Sequence, residues 1–344
     1  MKILYAIQGT GNGHVTRAME IVPILQKKGQ VDVLLSGTQA DLALPFPVTY
    51  RMKGLGFIFG KNGGVDIWHT YVKMNSLRLF REIKNLPIEQ YDLVISDFEP
   101  VSCWAAAFAK KSSVGLSNQV ATLHPLAPKP KKTDFVGKLV LEHYAPTTYN
   151  YGFHFRSLDQ NIYTPIIRNE VRKLKVTDKG HYTVYLPSYD DEKIIKHLKK
   201  FKHIKWQVFS KHNEGKYFHK NLELQPLDRE LFLKSLASSR GLLCNAGFGA
   251  ASEALFLRKK LLVIPMKTQY EQQCNAAMLK SMGVPVVKQL KKKHREKILD
   301  WIEDKKIVEV DYPDITEHIL DTIIENHAGH GTGSMPRLAY PIFQ

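Results

Sequence analysis

Cysteine is scarce in this chain: three residues in 344, Cys103, Cys244 and Cys274, far apart and odd in number. That excludes a disulfide framework and a four-thiolate zinc site, and it suits a reducing cytoplasm. No run of about 18 apolar residues occurs, so no membrane-spanning helix is expected. The apolar start, residues 1–7, breaks off at Gln8-Gly9-Thr10-Gly11, which is too short for a signal peptide. The dinucleotide fingerprint G-x-G-x-x-G is missing as well. The first glycine run reads Gly9-Thr10-Gly11-Asn12-Gly13-His14, and the next strand ends in Leu35-Ser36-Gly37 with no acidic ribose hook, so dinucleotide binding is disfavoured. Negative charge is in deficit: 33 acidic residues against 49 basic give a net charge of +16. The excess is spread along the chain, with 17 basic and 11 acidic residues up to Phe155 and 32 and 22 beyond it. Such a surface attracts anions or simply keeps the protein soluble. No nucleic-acid module or stacking platform accompanies it, so nucleic acid is not an expected partner.

What is present is a repeated alternation of strand and helix. A chain of 344 residues is long enough for two domains of about 150 to 170 residues each. Residues 2–7 form an apolar, β-prone run bounded by glycines, the pattern of a central parallel strand buried on both faces. Residues 15–28 follow with helical spacing, Ala18, Ile21, Val22 and Leu25 on one stripe, and Gly29 ends the helix. Strands are expected over residues 31–35 and 91–96, and a helix over 101–110. Residues 119–151 are proline-rich and read as a long connection with one helix, near the end of the first domain. A second series starts near His181, with strands over 182–186, 206–209, 241–244 and 261–264, and helices over 190–198, 230–237, 250–256 and 272–282. The fold class is therefore α/β, two doubly wound parallel-sheet domains facing a central cleft. The expected boundaries are 1–155, 156–320, and a C-terminal segment 321–344 that packs back on the first domain.

Four stretches carry chemistry. Gly9 to His14 sits between the first strand and the first helix. Its glycines permit a tight turn, the helix start offers free N–H groups, and His14 can exchange a proton near neutral pH. Ser96-Asp97-Phe98-Glu99-Pro100 closes another strand at the same rim, where Asp97 can orient His14 or else cap the next helix. Cys244-Asn245-Ala246-Gly247-Phe248-Gly249-Ala250 leads from a strand into a helix, an anion cradle, with Glu253 one turn in. Finally, Ile264-Pro265-Met266-Lys267-Thr268-Gln269-Tyr270-Glu271-Gln272-Gln273 is an amide-rich turn suited to sugar hydroxyls.

Together these motifs resemble glycosyltransferases of the GT-B architecture. More narrowly, they resemble family 28, which includes the enzyme adding N-acetylglucosamine to the peptidoglycan lipid precursor, and within it an uncharacterised group. The likeness spans residue 1 to about Val287. It implies that the second domain holds a nucleotide-sugar donor, a UDP-sugar. Gly247, Phe248, Gly249 and Ala250 would face the diphosphate, Glu253 the ribose, and Gln272 and Gln273 the donor sugar. His14 with Asp97 would be catalytic, beside an acceptor-side loop of Gly11, Asn12 and Gly13. Where the peptidoglycan enzymes carry a glycine-serine-rich loop, Pro187-Ser188-Tyr189-Asp190 stands here. No Asp-x-Asp occurs, so no metal-bridged diphosphate and no cofactor is expected. The implied reaction is inverting, metal-independent transfer to a hydroxyl of a glycan or lipid-linked acceptor. The alternatives are a sugar-nucleotide epimerase and a catalytically silent nucleotide-sugar-binding protein. Phe57-Ile58-Phe59-Gly60 and Ile67-Trp68-His69-Thr70-Tyr71, with Lys61 between them, suggest peripheral contact with an anionic membrane on its cytoplasmic face.

Overall fold

The computed structural model describes residues 1–10, 12–37, 44–55, 76–131, 134–267 and 269–329. Among these, thirteen strands divide into two separate sheets. The first contains β1 (Lys2–Gln8), β2 (Gln30–Ser36), β3 (Tyr50–Met52), β4 (Leu93–Asp97), β5 (Val114–Ser117), β6 (Tyr149–Phe153) and β7 (Ile162–Tyr163), in the order β3-β2-β1-β4-β5-β6-β7. The second contains β8 (His181–Tyr185), β9 (Lys205–Ser210), β10 (Tyr217–His219), β11 (Leu222–Pro226), β12 (Gly241–Cys244) and β13 (Lys260–Val263), in the order β10-β11-β9-β8-β12-β13. All pairings are parallel except the β10–β11 hairpin.

The helices are α1 (Asn12–Gln26), α2 (Ser76–Asn85), α3 (Pro100–Phe108), α4 (Asn118–Leu123), α5 (Phe135–His143), α6 (Asn169–Arg172), α7 (Asp191–Leu198), α8 (Arg229–Ser238), α9 (Phe248–Phe256), α10 (Tyr270–Ser281), α11 (Arg295–Glu303) and α12 (Thr316–His327). Apolar clusters cover both faces of each sheet. This explains the unbroken apolar run of β1, in which Ile3, Leu4, Tyr5, Ala6 and Ile7 are all fully buried. Removing each large aliphatic side chain from water contributes roughly 1.5–3 kcal/mol. In each sheet the strand order reverses beside the opening strand, between β1 and β4 and between β8 and β12. Loops leaving the carboxyl ends of these four strands border a common crevice, where ligands of such sheets bind.

Three features differ from the sequence expectation. The connection over residues 119–151 holds two helices, α4 and α5, where one was expected, and the start of β6; its prolines fall between these elements rather than inside them. The first sheet continues past residue 155, because β7 pairs with β6 through Gly152 and Phe153. The return to the first domain also begins before residue 321: Ile319, Leu320 and Ile323 of α12 are buried in the first domain's core. Lys28 at the end of α1 holds that helix through Glu317 at 3.2 Å and Asp321 at 2.6 Å. The stretch from Phe57 to Tyr71, read for membrane contact, lies outside the described residues, as does Gly11. Among the described residues no helix is long and apolar enough to cross a membrane.

Candidate active site

His14 and Arg17 stand three residues apart on the buried face of α1, so both side chains project over the same end of the first sheet. Asp97 is the last residue of β4, paired with Ile7 of β1. It does not cap α3. That role falls to Glu99, whose carboxylate accepts from the N–H groups of Val101 and Ser102, with Pro100 at the first helical position. Asp97 is left to face α1, fully buried. His14 Nδ1 lies 2.7 Å from Asp97 Oδ1, while Arg17 donates to the same carboxylate through Nε at 2.8 Å and Nη2 at 2.6 Å. Burial alone would raise the Asp97 carboxyl, but the adjacent Arg17 guanidinium and His14 hold it below its usual range. With Asp97 Oδ1 and Arg17 Nη2 (3.1 Å) both against Nδ1, the His14 ring turns Nε2 toward the cleft. Gln119, in the second residue of α4, brings its Nε2 to 3.4 Å from that atom.

The second domain supplies the opposite wall. Gly247 precedes α9 in an extended conformation and offers no capping side chain. The first N–H groups of α9 are therefore free for a ligand, at the positive end of the helix dipole. A Cβ placed on Gly13, Gly247 or Gly249 would meet nothing within 4 Å, so the backbone on both walls borders open space. A cavity of about 190 Å³ lies between them, lined by His14, Arg17 and Gln119 on one side and Gly247, Phe248, Gly249, Glu253, Glu271 and Gln272 on the other.

Several expected residues sit differently. Ala250 packs toward the second domain's core instead of lining the cavity, because the face of α9 turned to the cleft carries Phe248, Gly249, Ser252 and Glu253. Asn12 does not line the cavity either; its Oδ1 is buried without a hydrogen-bond partner. Gln272 lines the cavity, with its Oε1 accepting from the Met266 N–H at 3.1 Å. Gln273 turns away and donates to the Lys267 carbonyl at 2.6 Å. Each residue turns the helix by about 100°, and on α10 the step from Gln272 to Gln273 leads away from the cavity while the step back to Glu271 stays on it. The cavity residue beside Gln272 is Glu271, which the sequence reading did not assign. Asn118 and Gln119 donate to its two oxygens at 2.9 and 3.0 Å across the cleft. Glu253 reaches the cavity but is not free: Arg168 clamps it through Nε at 2.6 Å and Nη2 at 2.9 Å. Tyr189, at the place where the peptidoglycan enzymes carry a glycine-serine-rich loop, lies beneath the ammonium of Lys193 and accepts from the Leu290 N–H.

A family model described as Glycosyl transferase family 1 matches residues 1–304. The chain belongs to this family. It is a glycosyltransferase, and its two facing parallel-sheet domains are the GT-B fold. Among solved structures it is similar to the glycotransferase of kitacinnamycin, at 12% identity and a TM-score of 0.59 over 95% of this chain and 96% of that one. MurG of Acinetobacter baumannii, the family 28 likeness, aligns at 14% identity and a TM-score of 0.58 over 94% of this chain and 100% of that one. UGT2 of Phytolacca americana, solved with UDP-2fluoro-glucose and pterostilbene, aligns at 14% identity and a TM-score of 0.56 over 98% and 97%. At such identities the likeness is one of fold. No curated protein matches the sequence.

Proposed function

We propose that this glycosyltransferase transfers a sugar from a nucleoside diphosphate sugar to a hydroxyl group by a single inverting displacement in the cavity between its domains. The observation that carries the reading is the buried His14–Asp97 contact, its basic nitrogen on the cleft side, facing a helix start across the cavity. The acceptor hydroxyl gives its proton to His14 Nε2 as its oxygen attacks the anomeric carbon. Asp97 stabilises the imidazolium that forms. The diphosphate departs toward the N–H groups at the start of α9, where fixed dipoles meet the growing negative charge. Because attack and departure occur on opposite faces of the sugar, the anomeric configuration inverts. Glu253 accepts hydrogen bonds from the ribose hydroxyls, held in place by Arg168. Gln272 contacts the donor sugar. The UDP-sugar bound in the Phytolacca americana structure supports uridine as the base.

The test is single-turnover transfer from labelled UDP-sugars, with donor affinity measured by calorimetry in parallel. His14→Ala is expected to lose about 10²- to 10⁴-fold in rate while keeping donor affinity, since a base acts in the transition state. Near-wild-type turnover would remove His14 from catalysis. Loss of donor affinity along with turnover would make it a phosphate ligand. Isomerised donor without transfer would indicate an epimerase, and binding without turnover a silent binding protein.

A further inference from the structure

Phe98 is one of four non-glycine residues among those described with positive φ, at 58°. A phenylalanine pays free energy in that conformation, and such strain persists where the surroundings impose it. It stands between Asp97, which holds the base, and Glu99, which caps α3. The left-handed turn sends its ring out over the first domain's rim. There it lies nearly parallel to the His14 ring, 6.5 Å away with 13° between planes, and 4.9 Å from the ring of Tyr144. It also lines a second cavity, of about 300 Å³, wholly within the first domain. Gln119 lines both this cavity and the interdomain one, so the two adjoin at the residue touching His14 Nε2.

The walls of this second cavity are of two kinds. Phe98, Val120, Leu123 and Leu141 form an apolar side. The other side carries Asn150, Asn161 and the His124–Asp159 pair, whose Nε2 and Oδ2 lie 2.9 Å apart. Asn150 Oδ1 accepts from Thr147, while its Nδ2 and the whole Asn161 side-chain amide bond to no other protein group among the described residues. Gln119 Oε1 is buried and has no partner. A flat aromatic acceptor would strand these amides and carboxylates, whereas a pyranose ring has an apolar face of C–H groups and a rim of hydroxyls. C–H edges suit the negative face of an aromatic ring, and amides suit the rim.

We infer that the acceptor is a saccharide whose terminal ring lies on Phe98, with its rim hydroxyls on Asn150 and Asn161 and its reacting hydroxyl taking the place of the Gln119 amide at His14 Nε2. This rests on the transfer reaction proposed above. Phe98 is a specificity-determining residue, and its strain is the cost of placing a ring beside the base.

The test uses chitobiose, cellobiose and maltose as saccharide probes and pterostilbene as the aromatic alternative, with the full-length protein. Binding is read by saturation-transfer NMR without donor, so it does not depend on turnover. Transfer to acceptor and transfer to water are followed separately with labelled UDP-sugar. Phe98→Gly relieves the backbone while removing the ring, so it should fold at least as well as wild type. It is expected to lose the saccharide NMR signal and to raise acceptor KM by tenfold or more. Phe98→Tyr should restore binding. Pterostilbene binding with no disaccharide bound, or Phe98→Gly binding disaccharide as wild type does, would overturn the inference. Disaccharide binding with no transfer from UDP-sugar to either the disaccharide or water would overturn the transfer reading and leave the acceptor class standing.

Discussion

Replacing Asp97 by asparagine separates stability from chemistry at one buried atom group. In the wild type the carboxylate is fully buried and takes three contacts of 2.6 to 2.8 Å, two from Arg17 and one from His14. Asp97→Asn keeps the shape and one acceptor oxygen but leaves the Arg17 guanidinium buried without an anion. Breaking a buried pair in this way costs about 3–5 kcal/mol. For a domain of this size that corresponds to a Tm lower by roughly 6–20 °C. The same change damages catalysis by another route. An asparagine amide can donate to His14 Nδ1, which puts the imidazole proton on Nε2 and removes the basic lone pair, so the rate loss should fall within roughly 10²- to 10⁴-fold. The double variant Arg17→Met/Asp97→Asn removes both charges and should regain most of those roughly 3–5 kcal/mol relative to Asp97→Asn alone without regaining activity. The assay is thermal unfolding of the three proteins beside single-turnover transfer across pH 5 to 9. The stability difference also has a sign in pH. Because the folded Asp97 carboxyl lies below its usual value of 3.8, its contribution is fully present above the unfolded value and is lost as pH falls below about 4. The gap between wild type and Asp97→Asn should therefore narrow only in acid. A cost of about 1 kcal/mol or less, the worth of an exposed pair, would refute the buried arrangement, and a double variant no more stable than the single one would refute the charge argument.

Two further outcomes follow from the second domain. Glu253→Gln should weaken UDP-sugar binding by about 1–3 kcal/mol, the cost of poorly paired polar groups, and Arg168→Met should weaken it similarly by releasing the carboxylate; calorimetry showing no change in either would confine the pair to structure. Gln272→Ala should weaken donor binding measurably while Gln273→Ala leaves it near the wild-type value, and equal effects would show that the phase of α10 has been misjudged.

Much of the fold was legible because its central strands are buried on both faces. Residues 3–7 and 241–244 are continuous runs without a charged residue that fit only such positions, and both end in glycine-containing turns. The peripheral strands carry no such signal. β6 reads Tyr-Asn-Tyr-Gly-Phe and is exposed at its start, β7 is two residues long, and β10 is a short exposed edge. Their pairing is set by the neighbour they lie against, which local pattern does not encode. The same division runs through the site. His14, Asp97 and the Gly247 turn were legible from their place at strand ends, since topology brings strand ends together. The choice between Glu271 with Gln272 and Gln272 with Gln273 depended on the phase of one helix, where a single residue turns a side chain about 100°.

The two arginines show where sequence reading stops for a physical reason. Both acidic residues singled out, Asp97 and Glu253, are buried, and each is held bidentately by an arginine that had no assigned role: Arg17, 80 residues away in sequence, and Arg168, 85 residues away. A buried carboxylate needs a counter-charge or hydrogen-bond donors, and Glu99 finds the latter in the N–H groups of Val101 and Ser102. Asp97 and Glu253 stand where no helix start offers such donors, so the need for a cation follows from their place. Its identity does not, since it depends on which side chain the tertiary fold carries past. Arg17 leaves one trace, its spacing of three residues from His14 on the buried face of a helix. Arg168 leaves none, standing between the domains just before the short helix α6. Arg168 joins the interdomain connection to the wall expected to hold the ribose, so the geometry of that wall depends on how the two domains are joined.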